Sequence, residues 1–148
     1  MKIEGATMIV TGSSQWQGTF REGDGTITTA TGTLTDAPYT YASRFEGAPG
    51  ACPEELLGAA HAACFNHALA NISGIHGFTT ESVTTSADVT MGRDDQGPAI
   101  LAIHLNVQAK VPGATNETFQ DLATRAKVNC AFSKVLTAAL TMDATLVH

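Results

Sequence analysis

The sequence predicts an α+β domain, with helices packed on antiparallel sheet. Three observations carry this. Strand-like alternation recurs along the chain, best seen from Ala99 to Val111, where Ile103, Leu105, Val107 and Ala109 alternate with His104, Asn106, Gln108 and Lys110. Helical patterns fill two separate blocks, one from Pro53 and one from Thr115. No repeat, linker or change of composition divides the 148 residues, so residues 1–148 read as one domain.

The elements follow in order βββ-α-ββ-αα-β. Ser14 to Phe20, Thr26 to Thr31 and Tyr39 to Phe45 are predicted strands, with turns at Gly23-Asp24-Gly25 and Thr35-Asp36-Ala37-Pro38. Pro53 suits a first helical position, and Glu54 and Glu55 place acid in the first turn, where it complements the helix dipole. That helix runs to about Ile72 and ends in a glycine-containing stretch. Its small residues (Gly58, Ala59, Ala60, Ala62, Ala63, Ala68, Ala70) cover nearly the whole circumference. A helix apolar all round is a buried one, and small side chains let another backbone come close. Phe78 to Met91 and Ala99 to Val111 are predicted strands joined through Gly92 to Pro98. Thr115 to Val128 reads as a second helix, a short third begins near Asn129-Cys130, and Ala139 to Val147 alternates as a last strand.

Bulk composition narrows the function. Hydrophobic residues make up 43% and charged residues 15%, a globular balance able to bury a core. Net charge is −6 with eight Lys plus Arg, which disfavours nucleic acid as a partner. Met1 to Val10 has no continuous apolar core, so no leader is expected there. Leu56 to Ala70 is too short and too polar to span a bilayer, which takes about 20 apolar residues. The expectation is a cytoplasmic protein, with no membrane partner and with Cys52, Cys64 and Cys130 reduced at rest. Neither a phosphate-binding glycine loop nor a nucleophile elbow is present.

The thiols are the candidate chemistry. Cys64 lies some ten residues into the first helix, beyond the reach of that helix's own N-terminal dipole. Read alone, it is a buried small hydrophobe unless an external cation makes it a thiolate. The triplet His61-x-x-Cys64-x-x-His67 invites a metal, but the three side chains span about 120° of helix, a strained set for one ion. Cys130 follows Asn129, a good N-cap, so local physics makes it the better thiolate candidate. Cys52 reads as a loop thiol about 18 Å from Cys64 along a continuous helix, too far for a disulfide within one chain.

Longer stretches say more. Arg44-Phe45-Glu46-Gly47, followed by the run from Pro53 through Glu54, Glu55 and Gly58 to Cys64-Phe65, closely resembles the signature of the OsmC/Ohr family, the osmotically inducible and organic-hydroperoxide-resistance proteins. Ala126-Lys127-x-x-Cys130-x-x-Ser133-Lys134-Val135-Leu136 resembles the family's second cysteine motif. The similarity extends over nearly the whole chain, including the turn near Gly32 and the Ala87-Asp88-Val89 strand, and is nearer the OsmC branch.

The resemblance implies an intertwined homodimer with sheets wrapped around long central helices. It implies a cysteine-based peroxidase of organic hydroperoxides with no cofactor, regenerated by a dithiol, with lipoylated proteins as the implied source. It makes Cys64 the peroxidatic cysteine, Cys130 the resolving one, Arg44 the stabiliser of thiolate and transition state, and Glu54 the residue that orients Arg44. The alternative is a ligand-binding or redox-sensing protein on the same fold. Glu54 precedes Cys64 by ten residues, about 15 Å along a straight helix. Either the first turn is broken, or antiparallel helices across a dimer let Glu54 of one chain serve Cys64 of the other. Two positions depart from the family pattern. Ala131 stands where proline usually follows the second cysteine, and Cys52 stands where Asn or Ser is usual, which makes it a candidate third redox thiol.

Overall fold

The computed structural model describes residues 7–148. Of Met1 to Val10, where no leader is expected, residues 1–6 fall outside them. The chain forms two compact units, one up to Pro53 and one from Glu54.

The first unit holds strands β1 (Gly12–Gln17), β2 (Asp24–Thr29) and β3 (Ala37–Thr40) and the short helix α1 (Tyr41–Phe45). Its sheet is antiparallel, in the order β1-β2-β3. Gly25 in β2 has to be glycine, because a Cβ there would sit 2.5 Å from the Gln15 carbonyl oxygen and 2.6 Å from the Tyr39 ring. The space it leaves lets Trp16 and Tyr39 meet at 5.2 Å between ring centroids. The predicted strand Tyr39 to Phe45 needs correction, since it stops at Thr40 and turns into α1. A capping box makes the turn: Thr40 Oγ1 accepts from the Ser43 amide at 3.0 Å, and Ser43 Oγ accepts from the Thr40 amide at 2.8 Å. Aromatic alternation favoured strand there, and two hydroxyls overrule it.

The second unit holds α2 (Pro53–Ile75), β4 (Ser82–Asp94), β5 (Gly97–Lys110), α3 (Asn116–Asn129), α4 (Ala131–Val135) and β6 (Ala139–Leu146). β4 and β5 form an antiparallel hairpin, but β6 pairs with β5 in parallel, so this sheet is mixed rather than antiparallel. Parallel strands need a crossover, which the segment containing α3 supplies. The core lies between helices and sheet: Phe65 and Leu69 of α2, Ile103, Leu105 and Val107 of β5, and Phe119, Leu122, Ala123 and Ala126 of α3. Gly58 faces β4, and a Cβ there would meet the Ala87 carbonyl oxygen at 3.1 Å. Within one chain α2 is buried along one stripe only. Glu54, Gly58, His61, Ala62, Phe65, Leu69 and Ser73 are covered, while Ala59, Ala63, His67 and Ala70 are exposed.

No helix among the described residues is long and apolar enough to cross a membrane.

Candidate active site

Cys64 and Cys130 come together in the second unit. α2 is continuous from Pro53, so Cys64 stands three turns in, half-buried. Cys130 is 1% exposed at the joint between α3 and α4. It closes one helix and opens the next: its amide donates to Ala126 O at 2.9 Å, and its carbonyl accepts from the Lys134 amide at 3.3 Å. Asn129 is therefore the last residue of α3 rather than the cap of α4, and its Nδ2 donates back to Arg125 O at 2.9 Å.

The two thiols are shifted in opposite directions. Partial burial works against a Cys64 thiolate, but the backbone N–H of Phe132, the Cys130 thiol and the backbone N–H of Ala131 together outweigh it, and the thiol falls below its ordinary value. Burial pushes the Cys130 thiol up. The Ser133 N–H opposes this, the Cys64 sulfur adds to it, and the net direction is upward. The expectation that Cys130 is the better thiolate is thus corrected. The donors at the start of α4 act on both sulfurs, but they outweigh burial only for Cys64, which comes from another helix. The arrangement pairs a sulfur favoured as thiolate with a protonated thiol beside it.

His61, one turn before Cys64, is fully buried. Its Nε2 lies 3.3 Å from Ser133 Oγ, and its ring stacks with Phe132 at 6.2 Å and 21°. Burial lowers its pKa, which keeps it neutral at neutral pH. His67 is exposed, and the described residues contain no group of three side chains placed to hold a metal ion. Ser133 was visible in the second motif, but nothing in its spacing pointed to His61.

Arg44 and Cys52 belong to the first unit. Arg44 lies in the last turn of α1 with its guanidinium 4.9 Å from the Phe45 ring centroid, and the Cys52 thiol lies 3.8 Å from the Arg44 carbonyl oxygen. Trp16, Phe20, Tyr39, Tyr41, Phe45 and Arg44 line a cavity of ≈ 220 Å³, aromatic-walled with one cation. Glu54 is 7% exposed in the first turn of α2. Both Arg44 and Glu54 are partnered.

Comparisons with known proteins identify the family and the fold. The family model for OsmC-like protein matches residues 45–145. The chain is 45% identical over 132 residues to Peroxiredoxin OsmC of Escherichia coli (strain K12) and to that of Shigella flexneri, covering 89% of this chain and 92% of each relative. Among solved structures, it resembles an organic hydroperoxide resistance protein from Elizabethkingia anophelis (TM-score 0.66, 25% identity, 97% of this chain and 99% of that one). An OsmC-like protein of unknown function from Vibrio cholerae shares the fold at 15% identity (TM-score 0.73, 93% and 99%). With a family match across most of its length and relatives at 45% identity, this chain belongs to the OsmC family.

Proposed function

We propose that this protein is a cysteine peroxidase that reduces organic hydroperoxides. Its family and its 45%-identical peroxiredoxin relatives support the peroxidase class. The observation that carries the finer reading is the polarised thiol pair, with Cys64 lowered and Cys130 raised. The Cys64 thiolate attacks one oxygen of the hydroperoxide, the O–O bond breaks, and the alcohol leaves. Cys64 is then a sulfenic acid. Cys130 attacks that sulfur, water leaves, and a Cys64–Cys130 disulfide forms. A dithiol, for which lipoylated proteins are the family's implied source, restores both thiols. The aromatic cavity with Arg44 suits an apolar tail beside a polar peroxide head.

Arg44 is the proposed stabiliser of the developing alkoxide, with Glu54 holding its guanidinium. On the unbroken α2, Glu54 is about 15 Å from the Cys64 of its own chain. The reading therefore places Glu54 at the Cys64 of a second chain in a homodimer. Two observations support a partner: the exposed small-residue stripe of α2, and a β1 whose six residues are all exposed. Cytoplasmic location is part of the same reading.

A coupled assay with cumene hydroperoxide and dihydrolipoamide tests it. Consumption by the wild type and none by Cys64→Ser are expected, with mass spectrometry showing a Cys64–Cys130 link. Absence of wild-type turnover, or full turnover by Cys64→Ser, would sink the proposal. Sedimentation of the active protein as a monomer would remove the shared Glu54.

A further inference from the structure

His61 has no part in the chemistry above, yet it is completely buried on α2. A buried imidazole normally finds partners for its ring nitrogens. Nε2 has one, Ser133 Oγ at 3.3 Å, while Nδ1 has none among the described residues. The Phe132 ring stacked on the imidazole fixes its plane. The Ser133 hydroxyl in turn acts on the Cys130 sulfur in the sense that favours its thiolate. Ser133 thus stands between the buried His61 and the thiol pair: it meets the imidazole at 3.3 Å and lies in the helical turn that Cys130 caps.

The orphaned nitrogen selects the tautomer. A proton on Nδ1 would bury an N–H with no acceptor, whereas an unused lone pair there is the milder fault. The proton therefore belongs on Nε2, which donates to Ser133 Oγ. A serine hydroxyl has a single proton. Because its oxygen accepts from His61, that proton is available to the sulfur of Cys130, the residue that caps the turn holding Ser133. Burial keeps the imidazole neutral, so it directs the hydroxyl without exchanging protons itself.

We propose that His61 is a positioning residue for disulfide closure, locking the Ser133 hydroxyl so that its O–H supports the Cys130 sulfur as that sulfur attacks Cys64. The inference rests on the peroxidase reading for its consequence in turnover. In the step it serves, the bond between Cys130 Sγ and Cys64 Sγ forms and the S–O bond of the Cys64 sulfenic acid breaks. Cys130 is oxidised and the sulfenyl sulfur is reduced. The departing hydroxide takes the Cys130 proton and leaves as water. The Ser133 proton stays on its oxygen. The groups acting on Cys130 are its burial, the N–H groups of Ser133 and Phe132, the Cys64 sulfur and this hydroxyl, so the hydroxyl is the one side-chain donor among them.

The test separates the two peroxide steps in a single turnover. Rapid mixing with one equivalent of cumene hydroperoxide, acid quench and intact mass follow sulfenic acid as it forms and as it closes to disulfide. Ser133→Ala is expected to slow closure about tenfold, the size of one hydrogen bond to a developing charge. Ser133→Thr, which keeps the hydroxyl, should restore most of the rate. His61→Met should slow closure like Ser133→Ala, and His61→Gln, which offers an N–H near the Nε2 position, should recover it. Wild-type closure in both Ser133→Ala and His61→Met overturns the proposal. A second readout needs no peroxide. With Cys52 and Cys64 both replaced by serine, the ultraviolet absorbance of the thiolate reports Cys130 alone, and Ser133→Ala should move its titration upward. An unmoved titration overturns the relay. A moved titration in a protein whose Cys64 never forms sulfenic acid upholds the relay and defeats the peroxidase reading instead.

Discussion

Cys64 and Cys130 carry the same group and face each other, yet their surroundings push them apart. Cys64 is the more exposed, sits in mid-helix, and is lowered. Cys130 is the more buried, opens a helix, and is raised. Position on one's own helix predicts the reverse. A helix end acts on whatever stands in front of its free N–H groups, and here the Cys64 sulfur stands there. Cys130, at the start of α4, is close to the same donors but loses more to burial than it gains from them.

Removing either thiol is the strongest way to break this pairing. Cys64→Ser should reduce peroxide consumption by at least about a thousandfold, since Cys64 is the proposed nucleophile. Cys130→Ser should leave the first oxidation in place and abolish the disulfide. A sulfenic acid would then accumulate, detectable by dimedone labelling. Equal losses at the first step in both variants would show the two thiols to be interchangeable.

Stability against pH sharpens the comparison next. Below the ordinary thiol value, the unfolded chain holds the Cys64 proton that the native state has already given up, so stability rises with pH toward that value. Above it, the native state keeps the Cys130 proton that the unfolded chain has lost, so stability falls as pH rises. Urea unfolding at a series of pH values should show the rising limb disappear in Cys64→Ser and the falling limb disappear in Cys130→Ser. A profile unchanged by both substitutions would contradict the opposed shifts.

The smallest expected effect comes from Ala131→Pro. Cys130 has φ −58° and ψ 128°, a conformation that accepts a following proline, and proline is favoured at a first helical position. The substitution therefore keeps the fold and deletes one of the N–H groups that lower Cys64. Its thiol should shift upward, and the first oxidation at neutral pH should slow about two- to threefold. A faster reaction would mean that the Ala131 amide is not a support of the thiolate.

Much of the fold could be read from residue order alone. Pro53 with Glu54 and Glu55 marks the start of α2, and the Ile103 to Ala109 alternation marks β5 and its buried face. What escaped was fixed by partners distant in sequence or by local hydroxyls. The Thr40–Ser43 box makes α1 out of an alternating aromatic stretch. The parallel pairing of β6 depends on a crossover that no local pattern encodes. For the site, spacing alone ranked Cys130 over Cys64, because the donors that reverse the order belong to a different helix. The link between His61 and Ser133 spans a separation of 72 residues, which no periodicity reaches.

The joint at Cys130 has one more consequence. α4 is five residues long and buries none of its own side chains, whereas α3 is anchored in the core through Phe119, Leu122, Ala123 and Ala126. Any movement that the proposed disulfide closure demands would therefore fall on α4, the segment that costs less to open locally than α3. Hydrogen exchange would record this: oxidation should deprotect the amides of Lys134 and Leu136, which close α4, while those inside α3 keep their protection. The thiol pair would then rest on one fixed wall and one compliant wall, so that the segment tuning Cys64 before the reaction is also the one that yields when the sulfurs join.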